Sequence, residues 1–220
     1  MMEGVLASNV HQAHRQDRDQ LDRRFAANLD RPHRLYLAAF RDGSIKVGVT
    51  ASARGDDRLV EQGAWMARFI ASFESGFEVR SMEDRVTSEL DVAQSVATSS
   101  KLRGLLAPVS DGALEKTLAA LARRIDPLLA TEGGTGERAD ELWRFPDADD
   151  PVWNAPIAYP RSLAGGSHDL MIVGACGPVI AIRSTAVDDI FAADLSSLYG
   201  VPIEPGDFGQ DELRIQDSLF

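Results

Sequence analysis

Leu35-Tyr36-Leu37-Ala38-Ala39-Phe40 and Ile45-Lys46-Val47-Gly48-Val49-Thr50 read as two short strands, the second with apolar and polar positions in alternation. A period of two is that of a strand with one face turned inward. Asp42-Gly43 lies between the two runs, and a tight hairpin turn needs positive φ, so a β-hairpin over about residues 34–50 is predicted. Met66 to Phe73 alternates loosely and predicts a third strand. The period then changes. Val79, Met82, Val86, Leu90 and Ala93 recur at helical spacing and predict a helix from about Phe77 to Ala97. Leu114, Leu118, Leu121, Ile125 and Leu128 do the same from Asp111 to Ala130, with Arg123 and Arg124 near the end where cations suit the helix dipole. A short helix is expected between the second and third strands, capped by Asp56 or Asp57 and running through Trp65.

The flanks are less regular. Residues 8–29 are charged and helix-compatible, and Pro32 ends that stretch because the residue before proline avoids the helical region. Thr131 to Gly136 is a glycine-rich break and the expected domain boundary. Beyond it Trp143, Phe145, Trp153 and Tyr159 stand among five prolines, which suggests an irregular segment packed over the sheet. Asp169 to Arg183 predicts two strands around Ala175-Cys176-Gly177, read as a turn, and the tail from Ser184 is acidic without periodicity. The expected organisation is an N-terminal helical arm (1–32), an α/β domain with a helical extension (33–130) and an acidic C-terminal domain with a β-hairpin (131–220).

Composition sharpens this picture. The net charge of −11 lies in residues 131–220, which hold 16 acidic and 5 basic side chains, whereas residues 31–90 balance at 9 of each. Affinity for nucleic acid comes largely from Lys and Arg displacing counterions at phosphates. A nucleic-acid partner is therefore disfavoured, although a local Arg patch is compatible with one. Cys176 is the only cysteine, which excludes a disulfide framework and a thiolate zinc site. With no basic start followed by an apolar run, and no apolar stretch of membrane-spanning length, a cytoplasmic protein with no membrane partner is expected. Arg outnumbers Lys by 20 to 3, a bias expected of a GC-rich bacterial genome.

The motif order carries a resemblance. Leu35-Tyr36-Leu37, Lys46-Val47-Gly48-Val49-Thr50, Arg58 and Glu83 resemble the GIY-YIG nuclease superfamily. The likeness is to an uncharacterised bacterial and archaeal branch that pairs His-x-x-Tyr-Leu-Ala with Lys-Val-Gly-[Ile/Val]-Thr, then Arg and Gln-Gly-Ala. Here these are His33 to Ala38, Lys46 to Thr50, Arg58, and Gln62-Gly63-Ala64. The resemblance covers roughly residues 33–95, with a weaker echo in Asp169 to Arg183. It implies an α/β fold with a GIY-YIG-like small antiparallel sheet flanked by helices, followed here by a strand-containing acidic segment. It also implies metal-dependent phosphodiester hydrolysis with Mg²⁺ or Mn²⁺ on Glu83. Two departures stand out: Arg34-Leu35 replaces the Gly-Ile before the first tyrosine, and Lys46 replaces the second tyrosine.

Each candidate residue has a chemical reading and a plain one. Tyr36 orients or deprotonates a water beside a phosphate, or is a half-buried strand tyrosine. Lys46 binds phosphate or carboxylate as a point charge, or is an exposed strand lysine. Arg58, one helical turn beyond Arg54, grips phosphoryl oxygens with its planar fork, or sits on a solvated helix with Asp57 and Glu61. Glu83 holds a hard divalent ion, or is a surface acid beside Asp84 and Arg80. His33 is an acid–base group or a turn residue. Gly48 admits a ligand or marks a bulge, and Gln62 is a substrate-binding candidate with Arg54. Cys176 reads as an inert core thiol, since no nearby basic residue is apparent. The alternatives to a nuclease are an enzyme acting on a small anionic metabolite of bacterial specialised metabolism and a catalytically silent binding module.

Overall fold

Between β1 (His33–Ala39) and β2 (Ile45–Ala51) the chain reverses on Gly43, at φ 90°. Asp42 Oδ1 accepts from the Ser44 amide at 3.0 Å, and Phe40 N donates to Ser44 O at 2.9 Å. Positive φ is cheap only without a Cβ, so Gly43 fixes the hairpin register. The structure, a computed structural model, describes residues 23–131, 136–184, 189–204 and 206. It is a mixed α/β protein, with two four-stranded sheets and several helices among the described residues.

The first sheet has the order β2-β1-β3-β4, all antiparallel, with β3 at Met66–Phe73 and β4 at Glu137–Arg144. Between β2 and β3, a 3₁₀ turn (Ser52–Arg54) leads into α2 (Gly55–Gln62), which follows α1 (Arg23–Leu29) in the chain. The expected Asp56 or Asp57 cap is not formed. Both stand inside the first turn of α2, where negative charge suits the dipole, and no side chain caps the helix. The helix stops at Gly63, φ 68°, before Trp65.

Helix α3 (Gly76–Leu90) begins on Ser75, whose side chain accepts from Phe77 N at 3.1 Å. Its last residue is Leu90, seven short of the expected end at Ala97, and Asp91 caps it at φ 56°. The physical reason lies in the sheet. The outer edge of β2 needs partners, and Val47 N donates to Ala93 O at 2.9 Å, so the chain after α3 runs beside that strand. A further helix, α4 (Thr98–Leu106), was not expected, whereas α5 (Asp111–Leu129) follows its predicted span.

Strand β4 corrects the domain organisation. It pairs with β3, so the expected boundary at residue 131 falls inside the first sheet, and Trp143 lies on a strand. The strand was not visible in the sequence because most of its residues are exposed and polar, with Asp140 and Glu141 ion-paired to Arg68 and Arg34. The second sheet has the order β5-β8-β7-β6: β5 (Ile157–Ala158), β6 (Leu170–Cys176), β7 (Val179–Ser184) and β8 (Ile190–Asp194). The predicted β6–β7 hairpin is present; β8 is an addition within the supposedly aperiodic tail. Most of the expected N-terminal arm, residues 132–135 of the glycine-rich break and most of the acidic tail lie outside the described residues.

One core cluster reaches both sheets, and a second, smaller one (Ile180, Ile182, Phe191 and Ala193) lies within the second sheet. Leu35, Leu37, Val47, Phe69, Val79, Val86, Leu114 and Leu118 pack with Trp153, Cys176, Val179 and Ala181 in one cluster. Each such side chain contributes about 1.5–3 kcal/mol by leaving water, so the two sheets stabilise each other. Among the described residues no helix is long and apolar enough to cross a membrane.

Candidate functional site

The β1–β2 pairing sets Tyr36 opposite Gly48 and Ala38 opposite Lys46. Cross-strand partners share a face, so Tyr36, Gly48 and Lys46 point to the same side of the hairpin. The Tyr36 ring fills the space where residue 48 lacks a side chain: a Cβ there would stand 2.5 Å from the phenol oxygen. The same ring meets Phe69 of β3 edge-on, with centroids 6.2 Å apart. Its oxygen accepts a hydrogen bond from Gln62 Nε2 at 2.9 Å. Gln62 is the last residue of α2, and Arg58 lies one turn before it on the same helical face.

Lys46 Nζ lies 5.9 Å from the Tyr36 ring centroid and donates to Gln94 O at 3.4 Å. Gln94 belongs to the segment beside β2, and its amide also holds Asp84 Oδ1 at 3.0 Å and Thr87 Oγ1 at 3.2 Å. Glu83, on α3, is only 5% exposed. It is therefore not the surface acid of the plain reading. Arg80, one turn earlier on α3, is also buried, and its Nε has no hydrogen-bond partner among the described residues.

The electrostatics tie these groups together. Burial pushes the Glu83 carboxyl up to about 7, against the opposing pull of Arg80, Lys46 and Arg58. Burial brings the Lys46 ammonium down to about 8, helped by Arg58 and opposed by Glu83. The Tyr36 phenol is raised by burial, with the Gln62 hydrogen bond and Arg58 acting the other way. Tyr36 at 1% exposure is thus a protonated, enclosed phenol rather than a half-buried one. Lys101 of α4 joins the same charge cluster, with Arg58 among its charged neighbours and its Nζ 5.1 Å from the Phe40 ring centroid. No sequence signal pointed to Lys101 or Gln94, because neither α4 nor the path beside β2 was expected.

Not every candidate joins. Arg54 is 60% exposed and bound to Glu61 at 2.5 Å; Arg58 also faces Glu61, at 3.7 Å, as its plain reading held. Arg54 lines a separate cleft of about 250 Å³ with Arg34, Gly55 and Asp56. His33 points to the opposite face of β1 from Tyr36, is 3% exposed and is tied through Nδ1 to Arg31 O at 2.7 Å. Burial lowers its pKa, with Arg80 adding to the effect. It fits the turn-residue reading. Cys176 is buried with its thiol pushed up to about 12, so it is inert, but Lys101 and Arg41 do stand near it, contrary to the sequence reading.

Residues 5–160 match a family described as proteins of unknown function, DUF2797. The chain belongs to that family. The DUF2797 match takes in both strands of the hairpin, α2, α3 and α4, and hence Tyr36, Gly48, Lys46, Arg58, Gln62, Glu83 and Lys101. The β6–β7 hairpin and β8 lie beyond it. No curated protein and no solved structure matches the chain.

Proposed function

We propose that the Tyr36 site binds a phosphoryl anion and hydrolyses a phosphodiester, in line with the GIY-YIG-like motif order. The observation that supports this is convergence. Tyr36, Lys46, Arg58 and Glu83 come from two strands and two helices yet act on one another electrostatically. Around Glu83 stand Lys46, Arg58 and Arg80, three cations against the two carboxylates of Glu83 and Asp84, inside a chain of net charge −11. Such a cluster suits an anion, and the orphaned Arg80 Nε adds an unused donor.

Roles follow from proton positions. Arg58 offers two parallel donors to non-bridging oxygens, and Lys46 adds a point charge. Tyr36 already accepts from Gln62, so its own proton is free for a phosphoryl oxygen or water. Glu83, ionised above about 7, accepts the proton of the attacking water, and Lys46, charged below about 8, supplies one to the leaving oxygen.

The expected Mg²⁺ or Mn²⁺ fits this donor set only in company with substrate. Glu83 has one further carboxylate, Asp84, beside it among the cations, and no group of three or more His, Cys, Asp or Glu is placed to hold a metal among the described residues. With the ion present, Glu83 would anchor it in place of acting as the base, and phosphate oxygens and water would complete its shell. It would supply charge neutralisation at the leaving oxygen.

The decisive assay is hydrolysis of bis(p-nitrophenyl) phosphate and of thymidine dinucleotides, with and without Mg²⁺ or Mn²⁺. Glu83→Ala and Arg58→Ala are each expected to cut the rate by about 100-fold or more. A wild-type protein that cleaves none of these, or variants that cleave as well, would overturn the reading. A second reading, a site for a small anionic metabolite, is favoured by the 1% exposure of Tyr36 and 5% of Glu83, which leaves a duplex little access. A thermal shift with small phosphates or dicarboxylates, without diester cleavage, would select it.

A further inference from the structure

The second sheet meets the Tyr36 site through bare backbone. β6 and β7 pair Cys176 with Val179, so Gly177 and Pro178 alone make the turn between them. Gly177 takes its first central position at φ 58°, which is cheap only without a side chain. The turn is held from behind. Pro178 O accepts from Leu195 N at 2.9 Å, and Cys176 and Val179 are buried in the core cluster that reaches both sheets. Its other side lies against the end of α2. A Cβ on Gly177 would stand 2.4 Å from the Gly63 nitrogen and 2.7 Å from the Gln62 carbonyl carbon. From the other side, a Cβ on Gly63 would stand 2.7 Å from Cys176 O. These neighbours are backbone atoms, which cannot swing aside as the end of a side chain can. Gln62, touched here at its carbonyl carbon, is the residue whose Nε2 donates to the Tyr36 phenol oxygen at 2.9 Å. Arg58 lies one turn earlier on the same helical face.

We infer that Gly177 is a positioning residue of the Tyr36 site: the β6–β7 turn is the stop against which α2 ends, and it sets where Gln62 meets the phenol. A functional side chain is only as well placed as the residues that support it. The turn lies beyond the residues that match the family, so the second sheet takes part in the site from outside the matched region. The effect on a bound phosphoryl anion rests on the phosphodiester reading of the Tyr36 site; the hold on Gln62 does not.

The test reads the phenol directly. The full chain is labelled with ¹³Cζ-tyrosine, which gives three signals, and that of Tyr36 is identified by its loss in Tyr36→Phe. Gln62→Met removes the donor and shows where the signal moves without it. Gly177→Ala is expected to move the Tyr36 signal toward the same position, and the double variant to move it no further, since both act through one contact. Ile182→Val is the control: it thins the core of the same hairpin at a buried residue of the smaller cluster and should leave the signal in place. A Tyr36 signal unmoved in Gly177→Ala, or moved as far by Ile182→Val, would overturn the inference. If Gly177→Ala does not fold, Pro178→Gly decides the question, because it loosens the turn without adding an atom; an unmoved Tyr36 signal there overturns the inference equally. Calorimetry with inorganic phosphate adds the second readout. Affinity in Gly177→Ala is expected to fall by up to about tenfold, the scale of one lost hydrogen bond. A moved Tyr36 signal in a protein whose wild type binds no phosphate would retain the positioning role and reject the phosphoryl reading.

Discussion

Gly48 and Tyr36 occupy what would be the space of a single side chain: the phenol oxygen and Cζ of Tyr36 both lie 2.5 Å from where a Cβ of residue 48 would stand. The ring cannot retreat, since it is packed on Phe69 and 1% exposed. Gly48→Ala is therefore expected to push the phenol off Gln62 and away from Arg58 and Glu83. Overpacking of this kind costs about 1–3 kcal/mol. The prediction is a lower denaturant midpoint together with lost phosphate-anion affinity. A variant with wild-type affinity would show that the position of the phenol does not matter.

The two titrating groups predict a bell-shaped pH profile. Glu83 must lose its proton to act as a base, which happens as pH rises through about 7. Lys46 must keep its proton to serve the leaving oxygen, and it loses it as pH rises through about 8. Diester hydrolysis should therefore rise through pH 7, peak between 7 and 8, and decline above. Lys46→Arg stays charged at all these pH values, so its profile should lack the falling limb whatever its absolute rate. A falling limb that persists in Lys46→Arg would remove Lys46 from the proton transfer.

Burial of Glu83 also links pH to stability. The folded carboxyl titrates at about 7 and the ordinary value is 4.5. The folded state thus holds a proton that the unfolded state releases, so this contribution is full below 4.5 and lost as pH rises through about 7. Glu83→Gln cannot ionise. Its stability relative to wild type should improve between pH 4.5 and 7, by at most about 3 kcal/mol. Chemical denaturation at pH 5 and at pH 8 measures the difference directly. A gap that stays constant with pH would mean that the carboxylate is solvated or firmly paired.

What the sequence revealed and what it hid follow a physical line. The β1–β2 hairpin, β3 and α5 were legible because period and turn chemistry agree: Asp42-Gly43 closes the hairpin, and Leu114, Leu118 and Ile125 form one buried stripe. Strand β4 was hidden because it is an edge strand whose outward residues pair as ions. The end of α3 was hidden because Val92 to Ala97 suit a helix locally, while the edge of β2 needs the chain for itself. In the candidate site, Tyr36, Lys46, Arg58, Gln62 and Glu83 were legible through motif order. Arg54 and His33 were not separable from them, since a helix turn and a strand register decide where each side chain points. Lys101 and Gln94 come together with the site only through tertiary packing, which no local pattern encodes.

Asp111 offers a test of the fold that is separate from the site. One of its carboxylate oxygens accepts from Trp65 Nε1 at 2.8 Å, and the other from Arg144 at 2.9 Å. It thereby joins the start of α5 to the residue before β3 and to the end of β4. Trp65 is 1% exposed, so its indole N–H has no water to turn to when the carboxylate is removed. Asp111→Ala should cost about 1–3 kcal/mol, the penalty of a buried donor left unmade. Asp111→Asn keeps an oxygen acceptor for the indole and should recover part of that loss. Because Asp111 touches none of the side chains around Tyr36, phosphate-anion affinity of the folded Asp111→Ala protein should stay at the wild-type value. Calorimetry below the melting range checks this. A fall in affinity would show that α5 and β4 help to position the site, which the packing described above does not predict.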